Sequence, residues 1–301
     1  MIAVCFSVRT RTHWLTSVVL AAVGVIACAT ESPPQPTQAA HLELLFQPNP
    51  GRLEIAGSGA MTPLASELAA AWERRPDDLR TQVEPSIGSG AGIRAAAEGA
   101  VDLGMVSRPL SDAERQHGLR VVPIAIDVVV MATHSRIPLD GLSRGELKSI
   151  FSGLPRQLED GTRVTPLLRD PQESANEAIE RVCPELASLR LEAYRAGRFR
   201  VLYHDDAMGA ALTVTPGALG VFSLGAIQSW KLPLKPVAVD QVLPSVAAAQ
   251  DGRWKATRVL AFVARPERLE RARRFLDFAR SSEGRLAIAR SGYLPLAEEK
   301  P

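Results

Sequence analysis

Three serines in the first half of the sequence stand where they could donate hydrogen bonds to an anion. Ser58 and Ser89 each lie between two glycines, and Ser107 directly follows a short apolar run. Glycine lets a ligand approach the main chain closely, and the first turn of a helix carries free N–H groups and a partial positive charge. Serines in such turns therefore favour the binding of an anion if the turns meet in space.

The segments around these serines alternate between strand-like and helical patterns. Residues 53–56, 80–87 and 101–106 are strand candidates, and each is followed by a turn and a helical pattern, the first with Pro63 near its start. This repetition is typical of an α/β lobe with a largely parallel sheet, in which ligands bind at the carboxyl ends of the strands. We therefore expect the three turns to converge at one edge of the sheet.

Two long apolar runs exceed what one compact lobe of this kind needs. They cover residues 121–134 and 258–266, and a glycine-flanked strand candidate lies between them at 217–227. A helix is expected to begin at Pro266, with Phe275 on its buried face. The long runs predict strands that extend beyond a single lobe.

The first fifty residues have the features of an export and anchoring segment. Two arginines precede an apolar run at 14–27 that is too short for a typical membrane-spanning helix. The run ends at Cys28 in Val-Ile-Ala-Cys, which is similar to a bacterial lipobox and implies cleavage before Cys28 and lipid attachment to its thiol. We expect a lipoprotein signal peptide at 1–27 and a flexible tether at 28–50. An uncleaved anchor, or cleavage at another position, is the alternative.

Composition excludes several classes of function. The chain has 301 residues and a net charge of +2 from evenly mixed charged residues, which argues against a nucleic-acid binder with a broad basic surface. The five histidines show no metal-ligand spacing, and no nucleophile elbow or nucleotide-binding fingerprint is complete. We therefore expect no metal, no cofactor and no enzymatic activity. Cys183 has no disulfide partner in the mature chain and is expected to be buried.

Five segments in this order resemble the phosphate-binding proteins of bacterial ABC importers, the PstS-like periplasmic substrate-binding family. The similarity covers about residues 52–297 and implies a type II periplasmic-binding-protein fold: two α/β lobes, joined by two crossing strands, that close on an oxyanion. By this resemblance lobe I covers 50–128 and 258–301, and lobe II covers 129–257. The segments are GSGAMTP (57–63), IGSGAGIRA (87–95), VDLGMVSRPLSDAE (101–114), PIAIDVVVM (123–131) and TPGALGVFSLGAI (215–227).

The resemblance also implies which residues bind the anion. The family holds its ligand without a metal, through hydroxyls, backbone N–H groups and an arginine, whose planar guanidinium suits an oxyanion. From lobe I the motifs assign the hydroxyls of Ser58, Ser89 and Ser107, the N–H groups of Ala60 and Met61, and Arg108 near the third loop; from lobe II they assign Arg169, Ser174 and Asn176.

The sequence departs from the family pattern in two motifs. The second-lobe motif has one extra residue before Ser174, and Ala-Asn replaces Gly-Thr after it; Ser174 also forms a capping-box pattern with Glu177. Many relatives have an aspartate after the third-loop serine, which accepts the proton of hydrogen phosphate. Arg108 stands at this position here, and it could bind the anion or pair with an acidic neighbour. Asp127 or Asp170 could replace the missing acceptor.

Taken together, these features predict a monomeric lipoprotein of the cell envelope, attached to a membrane through its lipid and facing the periplasm or the exterior. It would bind an inorganic oxyanion, with phosphate as the first expectation, and deliver it to an ABC permease. Two alternatives remain open: a tethered anion sensor or interaction protein with the same fold, or an importer component for molybdate, tungstate or sulfate.

Overall fold

A computed structural model describes residues 51–76 and 79–296. The expected signal peptide, the tether and Cys28 lie outside the described residues. Within this part of the chain no helix is long and apolar enough to cross a membrane.

The described residues contain strands and helices in alternation, as the sequence pattern predicts. The strands are β1 (Arg52–Gly57), β2 (Arg80–Val83), β3 (Leu103–Val106), β4 (Arg120–His134), β5 (Gly141–Leu142), β6 (Arg156–Gln157), β7 (Arg163–Arg169), β8 (Val201–Leu202), β9 (Ala218–Ser223), β10 (Leu234–Pro236), β11 (Ala238–Val239), β12 (Thr257–Ala264) and β13 (Leu294–Pro295). The helices are α1 (Thr62–Trp72), α2 (Ser89–Glu98), α3 (Asp112–Arg115), α4 (Arg144–Phe151), α5 (Ser174–Glu180), α6 (Leu186–Arg195), α7 (Asp205–Val214), α8 (Leu224–Ser229), α9 (Val246–Gln250), α10 (Pro266–Arg280) and α11 (Ser282–Arg290).

One mixed sheet of eleven strands carries most of this structure. Its main order is β2-β1-β3-β12-β4-β9-β7-β6, with β10 and β13 paired to β4 and β8 paired to β7. Strand β1 runs parallel to β2 and β3, and β7 runs parallel to β9. The carboxyl ends of the parallel strands therefore meet at shared edges, where the loops that follow them can approach one another.

The two long apolar runs form β4 and β12, which lie side by side near the middle of the sheet. Strand β12 pairs antiparallel with the first part of β4, and β9 and β10 pair with its last part. The first part of β4 contributes Val122 and Ile124 to one group of buried apolar residues, whereas Val128 and Val130 belong to another. Strand β4 therefore connects two separately packed groups of apolar residues.

Two strand candidates are shorter in the structure than the sequence predicts. The candidate at 80–87 ends at Val83 because Pro85 has no N–H group for the ladder. The candidate at 217–227 ends at Ser223, whose hydroxyl accepts a hydrogen bond from a backbone N–H in the first turn of α8. A serine N-cap thus ends this strand and begins a helix.

The turn after β1 requires glycine at position 57. Gly57 has a φ of +144°, and an added Cβ would lie 2.3 Å from the carbonyl oxygen of Met105. We expect Gly57→Ala to lower the free energy of unfolding by at least about 2 kcal/mol, because backbone strain and a backbone clash act together. Urea unfolding measures this loss.

Gly118 provides the matched control for this substitution. It also has a positive φ, +67°, but no atom lies within 4 Å of an added Cβ. Gly118→Ala should therefore cost only about 1 kcal/mol, the conformational part of the effect. Equal losses in the two variants would show that the contact with Met105 is unimportant.

Candidate functional site

The three glycine-associated serines meet at the edge formed by the ends of β1 and β3. Ser58 Oγ donates a hydrogen bond to Ser107 Oγ at 2.9 Å, and the backbone N–H of Ser107 donates to Ser89 Oγ at 3.4 Å. The turns converge as the sequence predicts, because β1 and β3 are neighbouring parallel strands.

Ser174 joins this group from the other side of the cavity. It is the first residue of α5, after β7, and its Oγ lies 3.1 Å from Ser107 Oγ. Ser58, Ser89, Ser107 and Ser174 all line one cavity of about 270 Å³, together with Arg108. We call these four residues the serine cluster; it offers several hydroxyl groups to one small ligand.

The start of α2 adds backbone donors to the cavity. Gly88, the residue before this helix, provides no side-chain cap, so the first N–H groups of α2 are not capped by a side chain. Ser89 at the start of this ten-residue helix lines the cavity. The helix dipole therefore favours an anion beside the serine cluster.

Arg169, which the family motif assigns as a direct ligand, lies behind the residues that line this cavity. It is 3% exposed, and its Nη1 donates to the carbonyl oxygen of His204 at 2.9 Å. Its Nη2 lies 3.2 Å from a carboxylate oxygen of Glu173 and 3.3 Å from one of Asp205. The guanidinium thus pairs with the two carboxylates that face the cavity, and its buried Nη2 makes no hydrogen bond within the described residues.

Arg108 lines the cavity but its guanidinium pairs with an acidic neighbour. Nη1 and Nη2 each donate to a carboxylate oxygen of Glu114 at 2.7 Å. The hydrogen bonds from Arg108 lower the pKa of Glu114 to about 2. Glu114 therefore stays ionised at neutral pH and neutralises Arg108. Of the two roles expected for this arginine, binding the anion or pairing with an acidic neighbour, the structure shows the pairing.

Three other residues that were expected to bind the anion lie outside the cavity lining, and two of them make hydrogen bonds elsewhere. The N–H of Met61 donates to the carbonyl oxygen of Ser58 within the turn, and Ala60 is buried beside it. Asn176 donates through Nδ2 to the carbonyl oxygen of Asp170 at 2.7 Å. None of these three residues is among those that line the cavity.

The capping box expected between Ser174 and Glu177 does not form. Glu173 is the N-cap residue of α5, and it makes no side-chain capping bond. The hydroxyl of Ser174 instead faces Ser107 and accepts a hydrogen bond from Arg258 Nη1 at 3.0 Å. Ser174 is thus directed to the cavity rather than to its own helix.

Sequence reasoning missed three charged residues at the site: Glu173, Asp205 and Arg258. Glu173 and Asp205 line the cavity, and both contact Arg169. A signal for Arg258 existed, since it is a charged residue in an otherwise apolar strand, and Asp127 occupies the paired position of β4. No local pattern marks Glu173. Asp205 stands in the polar run His204-Asp205-Asp206, which the sequence predicts as a solvated turn before a helix; the helix is present, but Asp205 is buried.

These residues form a buried chain of alternating charges. The order is Asp127, Arg258, Glu173, Arg169 and Asp205, with successive N–O distances of 2.9, 2.9, 3.2 and 3.3 Å. Burial raises the pKa of Asp127 and of Asp205, whereas for Glu173 the opposing charges of Arg258 and Arg169 outweigh burial and lower the pKa. Glu173 is therefore the member that stays ionised most readily.

The cavity is built for a ligand held by hydrogen bonds. Within residues 51–76 and 79–296, no group of three or more His, Cys, Asp or Glu side chains is arranged to hold a metal ion. Hydroxyls and helix N–H groups can donate to several oxygens of one small anion, and the charged side chains around them each pair with an opposite charge.

Comparison with known proteins gives the same fold and a consistent group of relatives. Residues 33–283 match the model of the PBP superfamily domain. The phosphate-binding protein PstS of Bacillus subtilis is 24% identical over 256 residues, which cover 83% of this chain and 82% of that protein.

Two further proteins are similar to this chain, one over about a third of its length and the other over most of it. The phosphate-binding protein PstS 2 of Streptococcus agalactiae is 30% identical over 103 residues, 34% of this chain; the match spans about a third of that relative's length, 35%. A crystal structure from Clostridium perfringens, described as a phosphate ABC transporter substrate-binding protein with bound phosphate, has a TM-score of 0.70 and 24% identity over 82% of this chain and 100% of its own.

The family match covers most of the sequence, and the mixed α/β sheet with its two long central strands agrees with it. The fold class predicted from the sequence, that of type II periplasmic binding proteins, is confirmed. The chain belongs to the PBP superfamily, and within it the chain is similar to the PstS phosphate-binding proteins.

Proposed function

We propose that this protein binds phosphate in the cavity lined by the serine cluster and delivers it to an ABC importer as an extracytoplasmic solute-binding lipoprotein. The observation that carries the proposal is the convergence of four serine hydroxyls and the start of α2 on one cavity of about 270 Å³. The names of the PstS relatives support phosphate as the anion and binding rather than catalysis as the activity.

The remaining parts of the proposal follow from the sequence. Lipid attachment at Cys28 would hold the protein at a membrane, and the tether at 28–50 would let it reach a permease as a monomer. The lobes would divide at 50–128 with 258–301 and at 129–257, so that Ser174 and the other three serines come from different lobes. Closure would then bring donors from both lobes onto one anion.

Calorimetric titration of the full-length protein, freed of bound anion, tests the ligand. We expect phosphate to bind with a Kd in the micromolar range or below, corresponding to about −8 kcal/mol or better, because several charge-assisted hydrogen bonds combine. Sulfate and molybdate should bind more weakly. Preferential molybdate or sulfate binding would keep the site and change the substrate, whereas no anion binding by folded protein would favour an interaction role.

Glu173 is the residue that we propose as the acceptor of a phosphate proton, in place of the aspartate that Arg108 replaces. Its carboxylate lines the cavity next to Ser174, and two arginines keep its pKa low. Asp127 is fully buried behind Arg258, and Asp170 accepts from the backbone N–H of Gln172 at 2.9 Å. An ionised carboxylate can accept a hydrogen bond from hydrogen phosphate but repels fully deprotonated sulfate.

Glu173→Gln should therefore reduce discrimination between phosphate and sulfate. We expect the ratio of the two dissociation constants to fall by about tenfold at pH 7, since one charge-assisted hydrogen bond and one repulsion are lost. Competition titrations measure the ratio. Glu177→Gln, an exposed position on the same helix, is the matched control and should leave the ratio unchanged; an unchanged ratio in Glu173→Gln as well would contradict this role.

A further inference from the structure

Arg258 is held in place by the two central strands of the sheet. It is the register partner of Asp127 across β12 and β4, and its Nε donates to Asp127 Oδ2 at 2.9 Å. Asp127 Oδ1 accepts a second hydrogen bond from Ser223 Oγ at 2.6 Å. All three residues are buried, so the guanidinium has a fixed position relative to the sheet.

From this position the guanidinium extends to the anion cavity. Its Nη1 donates to Ser174 Oγ at 3.0 Å and to Glu173 Oε1 at 2.9 Å. Its Nη2 is buried and has no hydrogen-bond acceptor among the described residues. A salt bridge with Asp127 alone would not need the contact with Ser174, which points to a second role for this arginine.

The contact with Arg258 decides how the hydroxyl of Ser174 can act. A hydroxyl has one proton to donate and lone pairs that accept, whereas an arginine can only donate. Because Ser174 Oγ accepts from Arg258, its own proton points away from the guanidinium, and in the structure Ser174 Oγ donates to Glu173 Oε1 at 3.3 Å. An oxyanion offers acceptors only, so a serine held in this way can serve it as a donor.

The hydroxyl of Ser107 is held by a neighbouring donor in the same way. Ser107 Oγ accepts from Ser58 Oγ and lies 3.1 Å from Ser174 Oγ. Both hydroxyls at the centre of the serine cluster thus accept a hydrogen bond from a neighbour, Ser107 from Ser58 and Ser174 from Arg258. One of their own two protons can lie between Ser107 Oγ and Ser174 Oγ, and the proton of Ser174 can also reach Glu173 Oε1 at 3.3 Å. A bound oxyanion would compete with these acceptors for the two protons.

We propose that Arg258 is a positioning residue of the anion site, which holds the hydroxyl of Ser174 as a donor toward the bound oxyanion. This inference rests on the proposed oxyanion-binding function. It assigns this role to a strand arginine because Arg258 bonds to Ser174, whereas the guanidinium groups of Arg108 and Arg169 contact Glu114 and the pair Glu173 and Asp205.

A double-mutant cycle on the full-length protein tests the inference, with phosphate affinity as the readout. The cycle compares the wild type, Arg258→Lys, Ser174→Ala and the double variant. Lysine keeps a positive charge beside Asp127 but lacks the planar group that bonds Asp127, Glu173 and Ser174 together. We expect Arg258→Lys to weaken phosphate binding by about tenfold. In the Ser174→Ala background the same substitution should change the affinity by less than about threefold.

Arg181→Lys is the matched control. Arg181 lies near Arg258 and donates to the carbonyl oxygen of Thr257, and this substitution should leave phosphate affinity unchanged. If Arg258→Lys does not fold, the pair Asp127→Asn with Arg258→Gln replaces it, because this pair leaves no unpaired charge between the strands.

The outcomes separate this inference from the proposed function. Equal weakening by Arg258→Lys in both backgrounds, with tight binding by the wild type, would overturn the role of Arg258 alone. Wild-type affinity in Arg258→Lys would overturn it as well. A folded wild type that binds no oxyanion would reject the proposed function, and the positioning role with it.

Discussion

Replacing Ser107 and Ser174 together by alanine is expected to weaken phosphate binding by about 10²- to 10⁴-fold. Each hydroxyl is positioned to donate to the anion, and a hydrogen bond to a charged group contributes about 1.5–3 kcal/mol. Two such bonds correspond to about 3–6 kcal/mol, which gives the stated range. Calorimetric titration with phosphate measures the effect on the full-length protein.

Stability should change little in the same double variant. In the structure the two hydroxyls lie 3.1 Å apart and partly satisfy each other, and removal of both partners of a hydrogen bond costs far less than removal of one. Arg258 Nη1 keeps its bond to Glu173. Ser152→Ala is the control, because Ser152 is exposed, lies outside the cavity lining and donates its hydroxyl to the carbonyl oxygen of Ser149. Undiminished phosphate binding by the double variant would contradict the placement of the ligand in the serine cluster.

Arg169→Ala is expected to destabilise the fold by about 3–5 kcal/mol at pH 7, the usual effect of removing one partner from a buried ion pair. Arg169 is 3% exposed and contacts Glu173 and Asp205 at 3.2 and 3.3 Å. Glu173 would keep Arg258 as a partner, whereas Asp205 would lose its nearest cation. Urea unfolding at several pH values measures the loss.

The destabilisation should shrink as the pH falls. Burial already raises the pKa of Asp205 in the native protein, and loss of the positive charge of Arg169 would raise it further. A carboxyl whose folded-state pKa is raised destabilises the fold progressively as pH rises from its unfolded pKa to its folded pKa. The deficit of the variant should therefore decrease as the pH falls through the raised folded-state pKa of Asp205, and a deficit independent of pH would contradict this assignment.

Arg253→Ala is the control for this second prediction. Arg253 pairs with Asp251 at the surface, where both side chains are well exposed, and its removal should leave the unfolding midpoint nearly unchanged. Arg169→Ala is expected to lower stability as well as to alter the cavity. Loss of phosphate binding in that variant alone would therefore not place the anion beside Arg169. The serine variants test the location of the ligand more directly.

The elements that depend on local chemistry could be predicted from the sequence. The strand at 53–56 and the helix that begins near Pro63 follow from apolar spacing and a proline in the first turn, and both are present. The two long apolar runs form the central strands β4 and β12. Convergence of the glycine-associated serines followed from a general property of parallel sheets, because successive strands end at the same edge.

The partners of the charged residues could not be predicted in the same way. Arg169 donates to a carbonyl oxygen 35 residues along the chain, and Arg258 contacts Asp127 across a strand pair 131 residues apart in sequence. Whether a guanidinium points to a ligand or to a carboxylate depends on these long-range contacts. The family motif therefore indicated loops that converge in the structure, but not which arginine contacts the serine cluster.

The central claim is that an oxyanion binds among Ser58, Ser89, Ser107 and Ser174. A crystal structure of the protein grown with phosphate tests it most directly. The account predicts one phosphate in the cavity, with its oxygens within hydrogen-bond distance of hydroxyls from the serine cluster and of the N–H groups at the start of α2. Phosphate bound at another position, or a cavity that stays free of phosphate at saturating concentration, would contradict it.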